Sequence, residues 1–485
     1  MSNNVSNASA QSNTSDINDG SLQEAANTEP MLAATSSDSV SNTPDVELLD
    51  IDALLDNDGS LQEPANIEPM SAATSSESAT NTPDAEVLDI DALLDIADDV
   101  AITWVRKQGD LDEVIDALAT CGRVALDTEF IKRDTYYPRL ALVQLNTGDH
   151  VYLLDAPQLQ MAELWEALRK VDVAIWHACG EDLGIFYLLS GCPPLTNIFD
   201  TQIALSYLTG QLQMGYQQAL ADQLDMHIDK EHSQSDWLQR PLTDEQEQYA
   251  IDDVRYLPAL YLSIEHALKA QGLYDYVWAD CQLYASDLYD TQHVEDEAMY
   301  LTMADYRYNS QQMAILKGVA TWREELARAT NQPRTFVIKK QAVREIVTEK
   351  PNSMRELAHK TTMHRSMLRL YGEELLKVIR DAKSLPPTEH PECLVPPYRS
   401  KNKVLSKAVQ QAIDEHAREI GIPASVLMRK KWLGQLYEVV ALDKDVSELP
   451  QGLKGWRNDW VIKTLIPVIK KHKTELQQGM GIRVQ

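Results

Sequence analysis

Cysteine is scarce in this sequence: five residues in 485, scattered, with no CxxC pair among them. That argues against a disulfide framework or a cysteine zinc site and fits a reducing cytoplasm. No basic cluster followed by an apolar run stands at the N-terminus, so no secretory signal is expected. Long apolar runs are missing too. The longest charge-free stretch, 201–221, carries Gln202, Gln211, Gln213, Gln217 and Gln218, too much amide for a membrane span. No GxxxxGKS/T occurs, so a P-loop motor is not supported.

Basic residues are absent from the first hundred positions, which hold 21 acids and no aromatic side chain. Such a segment buries too little apolar surface to offset its ordering entropy, and residues 1–100 are expected to be a disordered acidic tail. The tail contains a repeat of period 39, with copies starting at Gly20 and Gly59 and each ending in LDIDALLD, at 49–56 and 88–95. Two copies without a core do not make a solenoid. The plain reading is duplicated linker. The sharper one is a short amphipathic helix that docks a protein partner, or an acidic decoy for the basic end of the chain.

The rest of the charge is also unevenly spread. Residues 101–308 hold 34 acids and 13 bases, whereas 309–485 hold 19 acids and 31 bases. A net charge of −30 therefore hides a C-terminal third of +12, and nucleic acid stays open as a partner. At roughly 150 residues per domain, the length suggests about three domains.

From position 102 the texture becomes that of an α/β sheet domain. Segments 122–130, 140–147 and 150–156 read as three strands joined by tight turns. Helical periodicity follows at 160–170, a strand at 173–178, and helices at 181–190, about 200–208 and about 243–268, the last with Thr243 as N-cap. This order indicates a mixed sheet flanked by helices.

Asp127 and Glu129 are two apart on a predicted strand, so their carboxylates share a face. A lone D-x-E is usually a solvated face. Here Ala125, Leu126 and Phe130 place it in an apolar run. Asp182 opens the helix after a strand, where acids favour the macrodipole and where α/β sites often form. Tyr249 and Asp253 are four apart on one helix face, with Asp252 turned the other way. Four clustered carboxylates repel one another unless cations intervene, and hard divalent ions take oxygen ligands. Two such ions can clamp the attacking and leaving oxygens of a phosphodiester. A tyrosine with an ordinary pKa near 10 is a poor base at neutral pH, so its expected role is to orient the attacking water.

At these residues the chain resembles the ribonuclease D family of the DEDD exonuclease superfamily, in the subgroup with tyrosine in its third motif. The first motif is LDTEF with TYYPRLALVQL (135–145), the second HACGEDL (177–183) with FDTQIA (199–204), and the third SDWLQRPLTDEQEQYAIDDVRYL (235–257). The resemblance implies a ribonuclease-H-like exonuclease domain over 101–308. It implies metal-dependent 3′→5′ hydrolysis of structured RNA such as tRNA precursors, releasing nucleoside 5′-monophosphates. Carried over by motif, Asp127, Glu129 and Asp253 hold one Mg²⁺ or Mn²⁺, and Asp127 with Asp182 holds a second. Tyr249 orients water, and Glu129 and Phe130 lie against the terminal nucleotide. His177 is either a substrate contact or a packed histidine. Gln234 stands where similar proteins often carry arginine, which leaves Lys230, Trp237 and Arg240 as local RNA candidates. Trp237 reads more readily as packing than as a stacking platform.

Residues 309–388 and 397–475 read as two all-helical units resembling HRDC domains, separated by proline-rich 385–398. Lys339, Lys340, Arg429, Lys430 and Lys431 mark their basic clusters, beside a further run at 469–473. Any one cluster can be a solvated helix face, but the summed charge favours phosphate contact, with Trp432 available to stack a base. The expectation is a cytoplasmic monomer acting on RNA, with no membrane contact. A proofreading-type DNA exonuclease would use the same five residues, and a non-catalytic nucleic-acid scaffold would use the helical units alone.

Overall fold

The computed structural model describes residues 88–228, 235–293, 296–399 and 403–482. Most of the acidic tail, including the first repeat copy, and Lys230 lie outside the described residues. Of the second copy, only the end from 88 is described. Its LDIDALLD contributes to helix α1 (Ile90–Asp98), capped by Asp89, whose carboxylate accepts from Ala92 N at 3.0 Å. Ala97 and Val100 are buried, and Ile90, Leu93 and Leu94 pack on the core. The tail's expected end at 100 is therefore corrected. Three leucine-class anchors on one helical face suffice to bury this stretch despite its acids.

The sheet has six strands in the order β1-β4-β3-β2-β5-β6. They are β1 (Ala101–Val105), β2 (Arg123–Ile131), β3 (Arg139–Asn146), β4 (His150–Asp155), β5 (Val173–Trp176) and β6 (Ile198–Asp200). β2, β3 and β4 form the expected antiparallel meander, while β1 adds to β4 and β5 to β2 in parallel. Helices α2 (Gln108–Leu118), α3 (Ala162–Leu168), α4 (Gly180–Ser190), α5 (Thr201–Thr209) and α6 (Tyr216–Leu224) surround it. The predicted long helix over 243–268 is two helices, α7 (Asp244–Arg255) and α8 (Leu257–Ala270). Pro258 in the first turn of α8 has no N–H to continue a ladder, so the break falls at Tyr256. Thr243 caps α7 through a capping box with Gln246, as its sequence position predicts.

After α9 (Tyr274–Gln292) the chain builds two helical units. The first contains α10 (Ser310–Thr330), α11 (Arg334–Val337), α12 (Lys340–Glu349), α13 (Met354–Lys360) and α14 (Arg365–Ser384). The second contains α15 (Val404–Ile420), α16 (Ala424–Leu427) and α17 (Lys430–Ala441), followed by short helical turns to Gly479. The first unit has its own core around Leu316, Ile346 and Leu376. The second shares one continuous core with the nuclease domain. The joint is Arg457, fully buried, whose Nη1 and Nη2 donate to Asp280 of α9 at 2.6 and 2.7 Å. The same carboxylate accepts from the hydroxyl of Tyr207 on α5 and from Trp456 Nε1.

Candidate active site

β2 sits between β3 and β5, and α7 packs across β2, β3 and β4. Ala250, Ile251 and Val254 bury the inner stripe of α7 against Ala141, Leu142 and Leu153. That seating turns the adjacent stripe, Tyr249 and Asp253, toward the β2 face bearing Asp127 and Glu129. One oxygen from each of Asp127, Glu129 and Asp253 lies within 4.8 Å of the others. Tyr249 hydrogen-bonds Asp253 and leans on Trp237 with ring centres 5.9 Å apart. Asp252 points away, accepting from Gln248 Nε2 at 2.8 Å.

Asp182 is buried in the first turn of α4 and accepts a hydrogen bond from the Thr128 hydroxyl. It stands beside the three-carboxylate group rather than within it, near enough to raise the pKa of all three. The turn before α4 is fixed by Asp200, which accepts from Ala178 N at 3.2 Å and Cys179 N at 2.9 Å while capping α5. Ala178 is thereby held at φ 59°, a conformation a non-glycine residue keeps only when over-determined. Thr128, Asp200 and Tyr216, whose phenol feels the charges of Asp253 and Asp127, were not singled out from the sequence. The position of Thr128 between the two acids and that of Asp200 in the FDTQIA run were the hints the sequence offered.

Burial pushes every one of these acids up, and neighbouring carboxylates add to it. Burial comes first for Glu129, then Asp253 and Asp182, raising it to about 9. Asp253 rises to about 8 through burial, then Asp252 and Asp182, against the Tyr249 hydrogen bond. Asp182 rises to about 6 through burial, opposed by Thr128. Asp127 is raised well above the carboxylate range by burial, then Asp182, Asp253 and Glu129. The donors are all carboxylate oxygens, the chemistry that suits a hard divalent ion. Folded-state pKa values above the unfolded ones mean the native state binds more protons. Metal-free stability should therefore fall as pH rises through the window from about 4 to about 9. Thermal unfolding in chelator should show a midpoint dropping between about pH 5 and 9, and added Mn²⁺ should restore more at the alkaline end. A flat chelator curve with a pH-independent metal effect would contradict this.

The other expected contacts fare differently. Phe130 lies beside the cluster, lining a cleft. His177 is a packed histidine: Nε2 donates to Met214 O at 2.9 Å and Nδ1 pairs with the Thr201 hydroxyl at 2.8 Å. Trp237 is 2% exposed, so its ring is no stacking platform. Arg240 is committed to Asp155 (2.7 Å) and to carbonyls of Trp237, Gln239 and Ala141. Ala141 is the extra residue of a β-bulge opposite Glu129 and Phe130, so Arg240 satisfies a carbonyl at the bulge. Arg429 packs over Trp432 at 5.0 Å, with Arg457 4.9 Å from the same ring, and Gly452 abuts that indole too closely for any Cβ. Arg429 and Trp432 are thus half-buried against each other. Lys431 faces Asp287 of α9, while Lys339 and Lys430 are exposed and Lys340 is half-buried.

A mixed sheet with carboxylates on its central strand, met by an acid and a tyrosine from one crossing helix, defines a ribonuclease-H-like 3′→5′ exonuclease. A family model described as 3'-5' exonuclease matches residues 102–269, and one described as HRDC domain matches 312–379. Ribonuclease D of Pseudomonas paraeruginosa is 33% identical over 76% of this chain and 98% of its own length. Ribonuclease D of Escherichia coli K12 is 27% identical over 75% and 96%. The crystal structure of the E. coli enzyme, described as an exoribonuclease involved in structured RNA processing, superposes with a TM-score of 0.70 at 25% identity, covering 77% of this chain and all of that one. The chain belongs to the ribonuclease D family. It is a 3′→5′ exoribonuclease, a hydrolase of phosphodiester bonds. Among the described residues no helix is long and apolar enough to cross a membrane.

Proposed function

We propose that this exoribonuclease trims the 3′ ends of structured RNA such as tRNA precursors with two divalent ions, Mg²⁺ or Mn²⁺, releasing nucleoside 5′-monophosphates. The observation that carries the reading is the convergence of Asp127, Glu129 and Asp253 oxygens beside Tyr249. Asp127, Glu129 and Asp253 would hold one ion, and Asp127 with Asp182 the second. Bound divalent ions supply Lewis acidity, which lowers the pKa of water and offsets charge on the phosphate. The Tyr249 phenol is pushed above its ordinary value by burial and by Asp253, so it keeps its proton and orients water through Oη. Phe130 lies where the terminal base would rest. The free cysteines suit a cytoplasmic setting.

For the domain organisation, the nuclease domain would span 88–308, and the helical units 309–388 and 397–475, both of HRDC type. Support for the second comes from local geometry. Each first helix ends on a left-handed residue, Asn331 or Gly421. Each then has a proline, Pro333 or Pro423, that opens a four-residue helix.

A time course on a 3′-extended tRNA, with and without divalent ion and with products resolved by length, tests the reading. Stepwise shortening that needs the ion is expected, and a matched DNA strand in parallel tests sugar preference. Metal-independent or endonucleolytic products would sink it. Tyr249→Phe should slow hydrolysis about 10- to 100-fold while preserving the metal-induced thermal shift. A loss of that shift would mean that Tyr249 supports the metal site instead.

A further inference from the structure

Lys132 directly follows β2 and is one of only 13 bases in a stretch, 101–308, with 34 acids. Its side chain is half-buried and lines a cleft that begins at Phe130, beside the carboxylates, and reaches the first helical unit. Ile185 and Leu188 of α4 form an apolar wall, and Arg328 and Arg334 stand on the helical side. Three of the lining residues are basic, and one, Glu181, is acidic.

The two banks of this cleft are tied together. Arg334 Nη2 and Arg328 Nε reach the one carboxylate of Glu324 at 2.9 and 3.0 Å. Both also donate to the Tyr136 hydroxyl, at 3.1 and 3.0 Å, and that hydroxyl donates to Glu324. Tyr137 N donates to Asn331 Oδ1 at 3.2 Å. Tyr136 and Tyr137 belong to the same loop as Lys132, so the loop is fastened to α10 and its C-terminal turn. Both guanidinium groups reach Glu324, and the charges that act on Lys132 are Glu181 and, against it, Arg334. A lysine drawn partly out of water is stabilised when an anion enters beside it.

We propose that Lys132, with Arg328 and Arg334 across the cleft, binds a backbone phosphate of the RNA strand a few nucleotides from its 3′ end, while the α4 wall accepts the bases. The inference rests on the nuclease reading, which puts the terminal nucleotide at Phe130. It assigns the first helical unit a share in a built strand path rather than a loosely attached grip. The basic surface clusters of that unit are not needed for it.

The test is the affinity of the full chain for a short, labelled single-stranded RNA, read by fluorescence anisotropy in Ca²⁺ across a salt series. Lys132→Ala should weaken binding about tenfold and lower the salt slope by about 0.7, the value for one phosphate on a single strand. Lys132→Arg should restore most of both, and Lys132→Gln should behave like alanine. Wild-type affinity and slope in Lys132→Ala, or equal losses in the alanine and arginine variants, would overturn the proposal. Binding is read without catalysis. Failure of the nuclease reading would show separately, as wild-type protein that does not shorten RNA with metal.

Discussion

Asp253→Asn should give a folded protein that binds RNA and does not cut it. The carboxylate is one of three whose oxygens converge within 4.8 Å, and it alone comes from α7. Replacing it with a neutral amide removes a charged donor, several kcal/mol of transition-state stabilisation, and at least about 10³-fold in rate. Single-turnover cleavage of a 3′-labelled RNA in Mn²⁺ is the measurement. Asp252→Asn is the matched neighbour. Its carboxylate is held by Gln248 on the far side of the helix, and its rate should stay within about threefold of wild type. If the two variants lose activity equally, the face of α7 has been misassigned.

The second large effect lies away from the chemistry. Asp280→Ala should destabilise the body formed by the nuclease domain and the second helical unit by about 3–5 kcal/mol, because it leaves Arg457 buried without its counter-charge. A drop of roughly 10 °C in melting temperature is expected. The double variant Asp280→Leu with Arg457→Met should recover much of it, since an apolar pair of similar volume needs no hydration. A single variant that melts with wild type would show that water reaches this pair. The second unit thus acts first as structure, a role that its sequence charge did not suggest.

Much of the nuclease fold was legible because local rules and tertiary packing agree there. The meander over β2–β4 follows from short apolar runs broken at Gly148 and Asp149, and the two-residue spacing put Asp127 and Glu129 on one face. The capping box at Thr243 fixed the start of α7. β1 and β6, five and three residues long, were too short to carry a period of their own. Their strand character comes from pairing with β4 and β5. Arg240 carries a side chain that suits RNA, and residue type does not reveal that Asp155 and three backbone carbonyls have already claimed it. Trp237 takes the packed reading that the sequence favoured. His177 takes the packed one of its two readings, through partners, Thr201 and Met214, 24 and 37 positions away in the chain.

The shared core has a topological corollary. Strand, helix and sheet up to α9 and the turns around Arg457 make a single body, so the stretch from α10 to α14 is a parenthesis spliced into it, leaving and rejoining through two crossings. A parenthesis with its own interior can be exchanged for another without opening the surrounding sentence. Evolution is therefore free to vary α10–α14 while the sheet that carries the carboxylates stays closed.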